Sequence, residues 1–187
     1  MSLLDANVSN PKEGGPSFSF SNRLVRFAWG IVWITLGYWT PVPLHFWRRF
    51  LLKLFGANIH STAKVYPKVK VWLPSNLEMK KYSCIASNVN CYSMEKIVLA
   101  EYSLVSQGAH LCAGTHDISD PGFQLIARPI VIGFNSWIAA ESFVGPGVVV
   151  GEAAVLGARA VTFKDLQPQT VYIGNPATEL RKRSSKL

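Results

Sequence analysis

The chain has 187 residues, 49% of them hydrophobic, enough apolar material for one domain with its own core and no need of disulfide staples. Its formal charge of +8 favours anionic partners such as a phosphorylated cofactor or a membrane surface. Nucleic acid is disfavoured, because the aromatic residues lie in an apolar run and are not interleaved with the basic ones. Cys84, Cys91 and Cys112 are odd in number and match no metal spacing. A reducing, cytoplasmic setting is expected, since no secretory pattern opens the chain.

Residues 1–17 contain Gly14-Gly15-Pro16 and little periodicity, so a flexible leader is expected. Residues 18–56 read as an amphipathic helical segment. One helix is expected from Leu24 to Trp39, a break at Pro41 and Pro43, and a second helix from His45 to Phe55. The first has about sixteen residues, short of the roughly 20 that cross a bilayer. In the second, Arg48, Arg49 and Lys53 stand beside Phe46, Trp47, Phe50, Leu51 and Leu54, a composition that suits an anionic interface. The same helices also suit a second task, covering the open end of a solenoid.

Residues 57–166 have the pattern of such a solenoid, with an aliphatic residue at every sixth position. Ile132, Ile138, Val144, Val150 and Leu156 set the register. It extends backwards through Leu99, Val105 and Leu111, then Met79, Ile85 and Cys91, then Ile59, Val65 and Val71, with a two-residue slip between triplets. Positions four residues on are small, as in Ser136, Ser142, Val148, Ala154 and Ala160. Neither a helix nor an ordinary strand has this period. It predicts an all-β triangular solenoid in which three hexads make a coil, with about five coils when Thr162 is counted. The large residues stack inward, with Cys91 as a small apolar filler, and the small ones let the chain turn each corner.

The rhythm stops over residues 117–131, an inserted loop of the kind that gives uniform solenoids their specificity. It ends near Lys164, and residues 167–187 then read as a turn with a short helix or basic tail after it. His116 stands immediately before the insertion, at the root of a protruding loop and outside the core. An imidazole there suits a general base, because it accepts a proton from an alcohol near neutral pH. Asp117 or Asp120 is the nearest candidate to orient it, although an Asp after His equally begins a turn. His110 reads as mainly structural, and no metal site is expected.

Gly114-Thr-His116-Asp, Pro129-Ile-Val-Ile-Gly133, Trp137-Ile, Val144-Gly-Pro-Gly147, Gly157-Ala-Arg, Phe163-Lys164-Asp and Gly174-Asn-Pro176-Ala together resemble the hexapeptide-repeat acetyltransferases. Trp47-Arg-Arg-Phe-Leu-Leu-Lys-Leu-Phe-Gly56-Ala is similar to the colanic-acid-biosynthesis type, related to the galactoside and maltose acetyltransferases. The resemblance implies a left-handed parallel β-helix, a homotrimer with sites between subunits, and acetyl-CoA as acetyl donor. It implies His116 as the catalytic base and Asn90, with Asp117 beside it, at the acceptor. Trp137, Ala140, Ala158, Lys164 and Arg181 fall where the family lines its coenzyme A channel. Arg159 adds a cation suited to the phosphates of coenzyme A. The chain departs from the sugar enzymes at Phe163, often Thr there, and at Ala140, often Ser. The expected function is O-acetylation of a saccharide or lipid-linked glycan in exopolysaccharide assembly, with peripheral contact at the inner membrane face. The alternatives are an acetyltransferase for an antibiotic or serine and a non-catalytic solenoid scaffold.

Overall fold

In the computed structural model, which describes residues 3–184, the six-residue period winds into a three-sided solenoid whose stacked strands run parallel. The first sheet stacks Asn58–Ile59, Leu77–Met79, Ile97–Leu99, Ile130–Ile132 and Val149–Val150. The second stacks Lys64–Val65, Cys84–Ile85, Leu104–Val105, Trp137–Ile138, Val155–Leu156 and Thr170–Ile173, the last beginning a sixth turn. The third stacks Lys70–Val71, Asn90–Tyr92, His110–Cys112, Phe143–Val144 and Val161–Thr162.

Every inward residue of the register, from Ile59 to Thr162, is buried. Cys91 is fully buried among them, and burial pushes its thiol up to about 12, so it packs as an inert filler. The corners explain the small residues. Many of the turns pass through a left-handed residue three positions after the inward one, as at Tyr82 (φ 57°), Glu141 (φ 58°) and Arg159 (φ 59°). The next position is buried. Where it is serine, the hydroxyl donates across the corner: Ser83 to Lys80 O, Ser103 to Ala100 O, Ser136 to Gly133 O and Ser142 to Ala139 O, each at 2.7 Å. Gly133 cannot carry a side chain, because a Cβ there would lie 2.5 Å from Val150 O of the next coil.

Three helices precede the solenoid: α1 (Ala6–Ser9), α2 (Phe20–Val32) and α3 (His45–Leu54). Helix α2 begins earlier than the sequence suggests, because the Ser19 hydroxyl caps it by accepting the Asn22 N–H. It widens over Trp33–Gly37 into π-type turns. No helix among the described residues is long and apolar enough to cross a membrane.

The covering role has a chemical basis. Strand N–H groups donate to the next coil, as Lys64 N does to Ser83 O and Lys70 N to Val89 O. The outward carbonyls of the first coil therefore need other donors. Trp29 Nε1 donates to Val71 O and Trp33 Nε1 to Val69 O, both at 2.7 Å. Arg49 Nη1 donates to Ala63 O at 2.8 Å, and Arg48 Nε and His45 Nδ1 reach Val65 O at 2.7 and 2.8 Å. Arg48 is wholly buried; its remaining nitrogens hold the Thr40 hydroxyl and the carbonyls of Pro41 and Val42. The helical face expected to offer Arg48 to an interface thus points inward. Phe46, Phe50 and Leu54 are exposed in its place.

Three boundaries differ from those the sequence suggests. Within residues 3–17, expected as a flexible leader, Ala6 is buried and Leu3 bridges Phe18. The excursion from the solenoid begins at Gly114, and not at Asp117, because Gly114–His116 pairs antiparallel with Leu125–Ala127 as a hairpin. It ends before Ile130, which is buried as a strand residue of the first sheet. After the last turn, Thr178–Lys182 folds back as an antiparallel strand on Thr170–Ile173 where a helix or tail was expected; residues 185–187 lie outside the described part.

Candidate active site

The hairpin carries His116 at the end of its first strand, with the side chain exposed. Nδ1 lies 2.9 Å from the carbonyl oxygen of Phe123, and the imidazole stacks on the Phe123 ring at 4.4 Å with an interplanar angle of 13°. A carbonyl only accepts, so Nδ1 carries the proton of the neutral ring and Nε2 keeps the basic lone pair. Phe123 itself is in the left-handed region at φ 56°, which turns its carbonyl toward the histidine. Asp117 and Asp120 spend an oxygen each on turns, accepting from Ser119 N at 2.9 Å and Gly122 N at 2.6 Å. The orienting contact sought in an aspartate is therefore supplied by the Phe123 backbone.

The hairpin is held from outside. Gln124 accepts from Ala6 N at 2.6 Å through Oε1 and donates to Leu4 O at 3.2 Å through Nε2. Lys12 Nζ donates to Pro121 O at 2.6 Å and lies 5.9 Å from the centre of the Phe123 ring. Sequence reasoning missed both Phe123 and Gln124. Neither is a catalytic residue type, and the leader that Gln124 holds is remote in sequence.

Asn90 sits at the start of its strand on the third sheet, half-buried, with Nδ2 3.2 Å from Nε2 of His110 on the next rung. Burial lowers the pKa of His110, so near neutral pH its ring is uncharged and Nε2 can accept the amide N–H. Asn90 also borders a cavity of about 620 Å³ between α2 and the third sheet.

Trp137, Ala140, Ala158 and Arg159 gather along the second sheet and the corner that leads to the third. Trp137 is 43% exposed, and its Nε1 donates to Ser106 Oγ at 2.8 Å, which fixes the indole edge and leaves part of the ring open. Arg159 N donates to Ala140 O at 2.9 Å, stacking the two alanine-bearing corners into a shallow, small-residue strip. The Arg159 guanidinium is exposed and bonded to Glu141 at 2.6 Å, which raises its pKa. Arg181 is exposed on the returning strand opposite Val171. Lys164 lies elsewhere, exposed at the corner after the third sheet, the same edge from which the His116 hairpin departs. One protomer therefore separates the Trp137–Arg159 corner from His116 by the width of the third sheet.

No family model matches the chain. It is 41% identical over 166 residues, 89% of this chain and 91% of the other, to a protein assigned as the colanic acid biosynthesis acetyltransferase WcaF in Escherichia coli (strain K12). The chain belongs to the hexapeptide-repeat acetyltransferases. As a member of this family it is an acetyltransferase, which removes the scaffold alternative. The fold agrees with solved members at lower identity. A maltose O-acetyltransferase from Clostridium difficile 630 superposes with a TM-score of 0.79 at 21% identity, covering 89% of this chain and 90% of that one. A hexapeptide-repeat-containing acetyltransferase from Vibrio cholerae O1 biovar eltor, solved with acetyl coenzyme A, gives 0.79 at 22%, covering 91% and 93%.

Proposed function

We propose that this acetyltransferase moves the acetyl group of acetyl-CoA onto a hydroxyl of a saccharide in exopolysaccharide assembly, with His116 as general base. The observation that carries the reading is the bond from His116 Nδ1 to the Phe123 carbonyl, which leaves Nε2 as the nitrogen able to take a proton. Acetyl-CoA, when bound, supplies a thioester carbon open to attack by oxygen. Nε2 takes the hydroxyl proton as that oxygen bonds to the carbon, and returns it to the departing sulfur. Asn90, which borders the cavity between α2 and the third sheet, would hold the acceptor through its amide.

Trp137, Ala140 and Ala158 form the strip along which the narrow arm of the donor would lie, and Arg159, Lys164 and Arg181 offer charge to its phosphates. Because that strip and His116 lie on opposite edges of the third sheet, the hairpin of one protomer completes the site on its neighbour's corner, in keeping with a homotrimer. The saccharide and its pathway are supported by the assignment of the Escherichia coli relative to colanic acid biosynthesis.

Peripheral membrane contact is supported by an outward stripe on α2 of Phe20, Leu24, Phe27, Ile31 and Ile34, each more than half exposed. Arg23 is exposed on the same helix, and Lys53 is exposed on α3. The test is release of coenzyme A from acetyl-CoA by the purified protein in the presence of candidate glycans. His116→Ala is expected to lower the transfer rate by about 10³-fold while coenzyme A still binds. Full activity in that variant would overturn the assignment of the base.

A further inference from the structure

The leader before α2 sends its polar bonds to the hairpin. It first closes on itself: Leu3 bridges Phe18, Leu4 N donates to Ser17 O at 3.1 Å, and Gly15 N donates to Asn10 O at 3.0 Å. One end is anchored on the first coil, where Phe18 stacks on Trp72 at 4.9 Å. The other meets the turn of the hairpin, which leaves the column after His110–Cys112, two coils further on.

A segment that served as a cover would hide apolar side chains. Within the described residues 3–17 only Ala6 is buried, and Val8 is 82% exposed. The leader makes directional bonds in place of apolar burial, and they fall on chosen positions. Lys12 Nζ donates to Pro121 O at 2.6 Å, and a Cβ on Gly122 would lie 3.1 Å from that of Ala6. Gln124 accepts from Ala6 N at 2.6 Å and donates to Leu4 O at 3.2 Å. Pro121, Gly122 and Gln124 therefore face the leader. Phe123, between them, faces His116 through its carbonyl at 2.9 Å and its ring at 4.4 Å.

The hairpin needs such a hold. Its strands, Gly114–His116 and Leu125–Ala127, have three residues each, and a two-stranded hairpin is by itself marginal in water. Phe123 sits at φ 56°, a region that a non-glycine residue keeps only where its surroundings over-determine it. Asp117 N to Gln124 O at 2.8 Å and Phe123 N to Asp120 O at 2.9 Å close the turn upon itself. The leader ties that turn back to the first coil.

We propose that the leader is a strut that sets the catalytic base, with Lys12 and Gln124 as its positioning residues. They hold the backbone on either side of Phe123, so that the Phe123 carbonyl stays on Nδ1 of His116 and Nε2 stays bare. The proposal rests on the reading of His116 as general base and names what keeps it in that form. Released from the leader, the carbonyl leaves Nδ1. The imidazole then reverts toward the form with its proton on Nε2, where it cannot accept one from a hydroxyl.

The experiment compares the intact protein with Lys12→Met, Lys12→Arg and a Lys12→Met, Gln124→Ala double variant. Proton–nitrogen correlation reads the His116 tautomer, and coenzyme A release with methyl glucoside as acceptor gives kcat and KM. In the double variant the form protonated on Nε2 should become the major one. Its kcat should fall at least about tenfold while KM for acetyl-CoA is unchanged. Lys12→Met alone should show a mixture of the two forms, and Lys12→Arg, which can still donate to Pro121 O, should be native-like. A native tautomer in the double variant would overturn the proposal, as would a Lys12→Arg variant as mixed as Lys12→Met. Should the double variant misfold and lose coenzyme A binding, the two Lys12 variants decide. Should methyl glucoside not be acetylated, the tautomers decide alone. A changed tautomer in the double variant beside a fully active His116→Ala would sink the base and leave the strut standing; a native tautomer beside an inactive His116→Ala would do the reverse.

Discussion

In the solenoid a residue's type is set by its place in a six-residue cycle, whereas in residues 3–55 and 114–129 it is set by contacts made once. Ile138 is buried for the same reason as Val105 below it and Leu156 above it. Arg48 is buried because it meets the carbonyl of Val65, which no lower coil satisfies, and those of the turn before it. The periodic part supplies a rigid column whose corners carry small residues. The aperiodic parts close its end and present an imidazole in a defined tautomer. Stability and chemistry are therefore expected to respond separately to mutation.

The largest expected effect comes from breaking the end cover. Arg48→Met keeps the apolar stem but removes the bonds of a buried guanidinium to Val65 O, the Thr40 hydroxyl, Pro41 O and Val42 O, and should lower stability by about 3 to 5 kcal/mol, read as a large fall in Tm. A fall no greater than that of an exposed substitution would mean that the cover is incidental to the column. Next in size is Gln124→Ala, which removes both bonds to the leader. It should cost about 1 to 2 kcal/mol locally, visible as faster amide hydrogen exchange in residues 3–17 and in the hairpin, with the solenoid unchanged. Exchange rising equally throughout the column would contradict a division between the two regions.

The smallest effect is a dependence on pH. Burial is the main cause that lowers the pKa values of both His110 and His45, with Arg48, Lys64 and Arg49 adding repulsion at His45. The unfolded chain takes up these protons at about pH 6.5 and the folded chain only at lower pH, so acid favours unfolding. Stability should be fully present above that pH and decline as the pH falls through it toward the folded values. The replacement His110→Asn should flatten part of that slope in Tm against pH; a steeper slope would reverse the inferred direction of the shift.

The same division decides what could be read in the sequence. The column was legible because a repeated environment leaves a repeated residue, and even its exception, Cys91, kept the inward register. His116 stands out in the sequence because it is a chemical residue type at the point where the rhythm fails. Its partner does not: Phe123 acts through a backbone carbonyl, which any residue possesses. The leader's contact with the hairpin was not legible because it runs through Gln124, 118 positions from Ala6, and local composition carries no trace of such a contact. That Arg48 faces inward on α3 was not legible, because a helical stripe shows that two sides differ without showing which side meets the protein. Thr178–Lys182 pairs as a strand because the last turn of the second sheet offers it an open edge, a feature of the assembled fold and not of the tail's residues.

The central claim is that the hairpin holds His116 as a base with Nε2 unprotonated. Long-range proton–nitrogen correlation on imidazole-labelled protein, at a pH where the ring is neutral, tests it directly. The Phe123 contact predicts Nδ1 protonated and Nε2 bare, opposite to the tautomer a free histidine prefers in water. A ring with the proton on Nε2, or one averaging between the two forms, would contradict it.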